Sequence, residues 1–144
     1  MKTFNLDSGA EGRYSIDVVN KASENGEYEA WMTTSGGAFE NQAIEINKPV
    51  FSANWGFGGI VRSIYHEFVH VFQKSILGLY SDNNDQLKYM REYWAYQATI
   101  NANHLPAASN DMMTSWKNSV DKYYNKMNDM YKLQTKLPFL IIRP

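Results

Sequence analysis

An α+β fold, with a short antiparallel sheet first and helices after it, is what the sequence predicts, on three observations. Before residue 58, β-prone and apolar residues fall in short segments, one of them alternating strictly with polar residues; beyond it, apolar residues recur at spacings of three and four. A glycine-rich segment, "SANWGFGG" at residues 52–59, separates the two regimes, with three glycines where the backbone needs freedom. With 144 residues the chain is expected to form one domain and to bury about 68–70% of the surface its unfolded form exposes. Residues 1–58 read as mostly strands, 59–134 as mostly helices and 135–144 as a tail.

The strand region contains three candidates. Residues 14–19 place Tyr14, Ile16 and Val18 on one face against Ser15 and Asp17 on the other. Residues 28–34 are aromatic and β-prone, and residues 43–51 are apolar, with Pro49 marking an edge or an end. The turn segments "SENGE" and "SGG" lie between them, and connections this short suit hairpins, hence the expectation of antiparallel pairing.

The first helix is expected over residues 59–77, stopped by Gly78. On a wheel of about 100° per residue, Ile60, Val61, Ile64, Phe68, Val71 and Phe72 gather on one side, and Arg62, Ser63, His66, His70 and Gln73 on the other, which reads as the face away from the core. A second helix, within "NDQLKYMREYWAYQATINANHL", is capped by Asn83, Asn84 or Asp85 and carries a stripe of Leu87, Met90, Trp94 and Ala98. A last helix over residues 111–133 carries Trp116, Val120, Tyr123, Met127 and Met130, a stripe that reads as core packing. The tail "LPFLIIRP" suits a strand or a partner surface.

Composition excludes several classes of function. The chain has no cysteine, so it has no thiolate metal site and no cysteine nucleophile. Fourteen Lys plus Arg against fifteen Asp plus Glu leave a net charge of −1, with no basic field for nucleic acid or anionic lipid. The opening residues hold no apolar run of the signal-peptide kind, and no segment approaches the roughly 18 apolar residues of a membrane span. A soluble chain is expected, with no nucleic-acid or membrane partner and with its location left open.

The chemistry concentrates in five residues, His66-Glu67-Phe68-Val69-His70. Histidines four apart on a helix lie about 40° apart around its axis, one turn above the other, so both imidazoles can reach one tetrahedral ion. Glu67 is turned about 100° from His66 and is free to face a water rather than the ion. A third protein ligand is needed. The metzincin completion would require a glycine and a histidine shortly downstream, where this chain has Gln73 and Ile76. Glu92, on a helix face shared with Lys88, Tyr89, Ala95, Tyr96 and Thr99, is the leading candidate, with His104, Asp82 and Asp85 as alternatives.

His66-Glu67-x-x-His70 followed by Glu92-x-x-Ala95-Tyr96 resembles the gluzincins, zinc metallopeptidases with a zincin fold, over about 35 residues. The resemblance implies one zinc ion on His66, His70 and Glu92, Glu67 as general base, and hydrolysis of peptide bonds in a protein or peptide substrate. Ala95 would let the helices pack closely around the metal. An oxyanion donor is expected among Tyr89, Tyr96 and His104. By the same resemblance, residues 43–50 would form the sheet edge to which an extended peptide adds. Tyr93 and Tyr96 stand where thermolysin-like members carry asparagine and aspartate, so the groups that orient the imidazoles must come from elsewhere.

Small zincin domains of this plan resemble the C-terminal toxin domains of polymorphic toxin systems. That likeness implies a module exported within a larger protein, with an inhibitor or immunity protein as partner. A zinc amidase and a catalytically inactive zincin-fold binding module are the alternatives. Glu67 weighs against the inactive module, since a purely structural zinc needs no base beside it.

Overall fold

A computed structural model describes residues 14–20, 31–51, 54–81 and 83–136. Asp82, residues 137–144 of the expected tail and the first part of the second expected strand lie outside the described residues. The elements run β1 (Tyr14–Val19), β2 (Met32–Ser35), β3 (Gln42–Asn47), a 3₁₀ turn (Lys48–Phe51), α1 (Gly56–Ser75), α2 (Asp85–Asn101), α3 (Asn110–Lys126) and α4 (Asp129–Gln134). The α+β class holds, with two corrections to its details.

The sheet is mixed rather than antiparallel. Its order is β1-β3-β2, with β3 parallel to β1 and antiparallel to β2. Hairpin reasoning succeeds for β2 and β3, joined by a short turn, and fails for β1. The chain between β1 and β2 is long enough to pass the width of an intervening strand, so β3 inserts between them. The strand expected at the edge is therefore the centre of the sheet, and β1 and β2 are its edges among the described residues. A central position suits β3, whose Ile44 and Ile46 are buried and pack with Val50 against Phe68 and Val71 of α1. Tyr14 joins them edge-on to Phe68, with ring centroids 4.8 Å apart, while Ile16 and Val18 stay exposed.

Helix α1 is buried on both sides. Phe68 and Val71 meet the sheet, and Val61, Tyr65 and Val69 meet Ala95, Ala102 and Leu105 from α2 and the loop after it. The polar face expected to point away from the core lies at this second contact, and Arg62, His66, His70 and Gln73 are all buried. Each of them finds a hydrogen-bond partner, which is the condition for burying polar groups. Arg62 is the strongest case: its guanidinium donates to the carbonyls of Thr99 (2.6 Å), Pro106 (2.7 Å), Ala102 (3.1 Å) and Leu105 (3.3 Å). It caps the C-terminal end of α2, where a cation also favours the helix dipole.

Two of the three linker glycines serve close approach rather than freedom. Gly58 and Gly59 are helical, and a Cβ on them would fall within the Ala107 carbonyl and the Met112 side chain respectively. Only Gly56 has positive φ, at 65°. At the other end of α1, Gly78 takes φ 63° and lets the Leu79 N–H return to the Gln73 carbonyl at 2.8 Å, the stop signal the sequence carried.

Helix α2 is capped by Asn84, which accepts from the Leu87 N–H at 3.0 Å, and its Met90 and Trp94 pack with Met127. The expected last helix is two helices, so three helices rather than two follow α1. Met127 is extended, and Asn128 caps α4 by accepting from the Tyr131 N–H at 3.1 Å. The Gln86 amide spans the break, donating to Lys126 O and accepting from Asn128 N–H. The break turns Met127 inward and leaves Met130, expected in the stripe, exposed. Among the described residues no helix is long and apolar enough to cross a membrane.

Candidate metal centre

Three side chains from two helices converge between α1 and α2. Consecutive turns of α1 supply His66 and His70, whose Nε2 atoms are 3.1 Å apart. Helix α2 supplies Glu92, with Oε2 3.6 Å from His66 Nε2 and Oε1 3.5 Å from His70 Nε2. All three candidate ligand atoms fit within 4.8 Å of one another, and both histidines are buried. Among the described residues this is the group of acidic and imidazole side chains able to hold a metal ion.

The donor set fits a small divalent cation. Tetrahedral zinc with bonds near 2.0–2.1 Å places its ligand atoms about 3.3–3.4 Å apart; the two imidazole nitrogens, 3.1 Å apart, come close to this, and each faces a different oxygen of Glu92. Two imidazoles and one carboxylate, with no thiolate, suit zinc and neighbouring first-row metals.

The outer partners fix which nitrogen faces inward. His70 Nδ1 donates to Gln73 Oε1 at 2.8 Å, and the same amide donates from Nε2 to the Arg91 carbonyl at 3.0 Å. Gln73 thus grips one ligand and the backbone beside another, and it is fully buried (0% exposed). Thr99 Oγ1 donates to Ala95 O at 2.7 Å and stands 3.4 Å from His66 Nδ1, placed to accept its proton. With Nδ1 as the donor on both rings, both Nε2 lone pairs point into the cluster. These are the orienting groups that the residues after Glu92 left open; they are an amide and a hydroxyl, not carboxylates.

Electrostatics bind the cluster in the absence of a cation. For His70, burial disfavours the imidazolium, but the charge of Glu92, its hydrogen bond and the charge of Glu67 outweigh it, and the pKa lies above the ordinary value. Burial pushes Glu92 up, yet the charge of His70 and the hydrogen bonds from both histidines hold it well below the usual carboxylate range. Protons and a metal ion therefore compete for the same nitrogens.

Glu67 faces a cavity of about 260 Å³, lined also by Trp31, Met32, Trp55, Ser63, His66, Tyr96 and Trp116. The Thr34 hydroxyl of β2 donates to Glu67 Oε2 at 2.7 Å and also lies 3.2 Å from its backbone carbonyl. Of the three candidate oxyanion donors, Tyr96 reaches this cavity, its ring 4.3 Å from that of His66. Burial, the charge of Glu92 and Tyr123 push Tyr96 up to about 12, so its phenol keeps its proton at neutral pH. Tyr89 instead packs beside the Met90–Trp94–Met127 cluster, its ring 6.3 Å from that of Tyr123. His104 stands edge-on to Tyr65, with centroids 5.7 Å apart. Of the alternative third ligands, neither His104 nor Asp85 joins the cluster, and Asp82 lies outside the described residues.

Sequence reasoning gave Thr34 and Gln73 no role at the site, and placed Ser63 on the helix face of the histidines, Thr99 on that of Glu92 and Tyr123 in the packing stripe without assigning them one. Thr34 lies 33 residues before Glu67 and carries no local signal. Thr99 was legible as a face-mate of Glu92, one helical turn beyond Ala95. Compared with protein-family models, with curated proteins and with solved structures, the chain has no match in any of the three.

Proposed function

We propose that this protein is a zinc-dependent hydrolase of amide bonds, with peptides as its substrates. The observation that carries the reading is the convergence of His66, His70 and Glu92, with a carboxylate, Glu67, beside them and outside the ligand set. A cation held there supplies Lewis acidity, acidifying water and polarising a carbonyl. The chain's own residues supply the rest. Glu67 takes a proton from the water whose oxygen attacks the scissile carbonyl carbon. As the C–N bond breaks, Glu67 returns that proton to the departing amine. Thr34 holds one oxygen of Glu67 and leaves the other for this transfer. Tyr96, protonated and in the cavity, donates to the developing oxyanion. Edge strand β2, next to the cavity through Met32, is the backbone to which an extended peptide adds, in place of the central β3.

A second reading is favoured by the burial of Glu67 and its engagement by Thr34: a module that holds a metal and binds a partner without turnover. The module and a non-peptide amidase share every ligand with the peptidase. Metal content of wild type and of Glu67→Gln, with a peptide-library cleavage assay on both, separates the readings. The expected result is about one zinc per chain in both proteins and cleavage by wild type alone. Zinc in both with cleavage in neither would replace the peptidase with the binding module.

A further inference from the structure

Lys74 lies in the last turn of α1 and is only 7% exposed. Two groups from one stretch of chain meet it. Its ammonium donates to the Thr34 carbonyl at 2.8 Å, and its own carbonyl accepts from the Phe39 N–H at 2.9 Å. Thr34 is near the end of β2 and Phe39 is in the turn that leads to β3, so one helical residue fastens both the strand and its turn. Phe39 takes the left-handed region at φ 58°, unusual for a bulky residue, and its ring covers Gly78 so closely that an added Cβ there would overlap it. The ammonium also sits 4.9 Å from the centroid of the Tyr80 ring. Replacing buried charge by a well-packed apolar side chain of similar volume is often neutral or stabilising, so packing alone does not call for an ammonium here.

Glu67 stands on the same flank of the helix. It is seven positions before Lys74, two turns away, which brings the two within about 20° of each other around the axis. Thr34, held by Lys74 through its carbonyl, donates from its hydroxyl to Glu67 Oε2 at 2.7 Å. β2 has four residues and pairs with β3 alone among the described residues, so its ladder fixes Thr34 against Ile44 and leaves its other side unrestrained. We propose that Lys74 is a positioning residue for Glu67, acting through Thr34: by tying the end of β2 to α1 it keeps the Thr34 hydroxyl on one carboxylate oxygen, so that the other stays available to the attacking water. The effect on rate rests on the hydrolase reading, and the effect on the Thr34–Glu67 contact does not.

The test joins a crystal structure to a mutant cycle. In zinc-loaded Lys74→Met, Thr34 Oγ1 should lie beyond hydrogen-bond range of Glu67 Oε2, more than about 3.5 Å away, with His66, His70 and Glu92 still together. With a peptide that wild type cleaves, kcat should fall about 10-fold while KM and zinc content stay unchanged. Lys74→Arg, which keeps a donor, should recover most of the rate. Lys74→Met combined with Thr34→Val should be no slower than Thr34→Val alone, because both act on one contact, whereas a merely structural lysine would give losses that multiply. Multiplying losses, an intact Thr34–Glu67 contact in Lys74→Met, or Lys74→Arg as slow as Lys74→Met would each overturn the proposal. A Lys74→Met chain too unstable to bind zinc would overturn it as well, by making Lys74 a residue of the fold. Wild type that binds zinc and cleaves no peptide would remove the hydrolase reading, and the crystal structure would still decide the contact.

Discussion

The Thr34 hydroxyl donates to Glu67 Oε2 over 2.7 Å, joining the edge strand β2 to the helix that carries both histidines. Lys74, one turn beyond His70, holds the same strand by donating to the Thr34 carbonyl at 2.8 Å. Thr34→Val removes the hydroxyl and keeps the shape. Losing one hydrogen bond to a charged group, about 1.5–3 kcal/mol, should lower kcat about 10- to 100-fold with zinc content unchanged. Thr34→Ser should recover most of the rate. A valine variant as active as wild type would show that Glu67 is held by its burial alone.

Zinc should stabilise the folded chain, since all three ligands converge only in the folded structure. At a zinc concentration about 100 times Kd the gain is about 2.7 kcal/mol. That corresponds to a Tm rise of roughly 5–10 °C at this chain length. His66→Ala, His70→Ala and Glu92→Ala should lose the rise, and Glu67→Gln should keep it. Thermal melts with and without chelator provide the check, and a zinc-dependent rise in Glu92→Ala would move the third ligand elsewhere.

Metal affinity should begin to fall at a higher pH than an ordinary histidine site shows. The Nε2 of His70 must be deprotonated to ligate, and its pKa is raised above 6.5, so protons compete from above that value downward. In the metal-free protein the pair has its own pH window. The raised His70 contributes fully below 6.5 and loses its effect as pH climbs through the folded value. The depressed Glu92 contributes fully above 4.5 and loses its effect as pH drops through its folded value. The Tm difference between chelator-treated wild type and Glu92→Gln should therefore be largest between 4.5 and 6.5. A difference that instead grows on going to alkaline pH would contradict the pairing.

Gln73 should govern affinity without touching the ion. Gln73→Ala frees the Nδ1 of His70 and the Arg91 carbonyl together, and a loss of 10- to 100-fold in zinc affinity is expected. Gln73→Glu, which keeps the acceptor for His70, should bind zinc more tightly than the alanine variant. Competition with a chromogenic chelator measures both.

Arg62 should matter for the fold. Arg62→Ala takes the guanidinium away from the carbonyls of Thr99, Leu105 and Pro106, while Ala102 O keeps the Leu105 N–H, a loss of about 3 kcal/mol or more. A Tm fall of roughly 6–12 °C should follow. Arg62→Lys should recover little of it, because an ammonium cannot reproduce the planar fork.

The motif helix, its glycine stop, the second helix with its asparagine cap and the partnership of Glu92 with His66 and His70 were all legible in the sequence. Each depends on spacing along one helix or on a motif resemblance spanning two. Strand order was not legible, because nothing local distinguishes a β3 that pairs with its neighbour from one that also inserts beside β1. Nor was the break at Met127, where a polar Asn-Asp pair interrupts a stripe whose spacing continues unchanged. The burial of the polar face of α1 was hidden for a related reason: a helical wheel shows which residues share a face but not what covers it. Arg62 and Gln73 look like solvated residues until α2 supplies their carbonyls.

The donors of the cluster are divided between α1 and α2, so a cation held there would sense the docking between them. In the unfolded chain only the two histidines are neighbours, and the carboxylate arrives when the helices meet. Withdrawing such an ion would therefore loosen no helix by itself. It would remove a clamp across one seam, the seam that Arg62 holds at one end and Gln73 at the other.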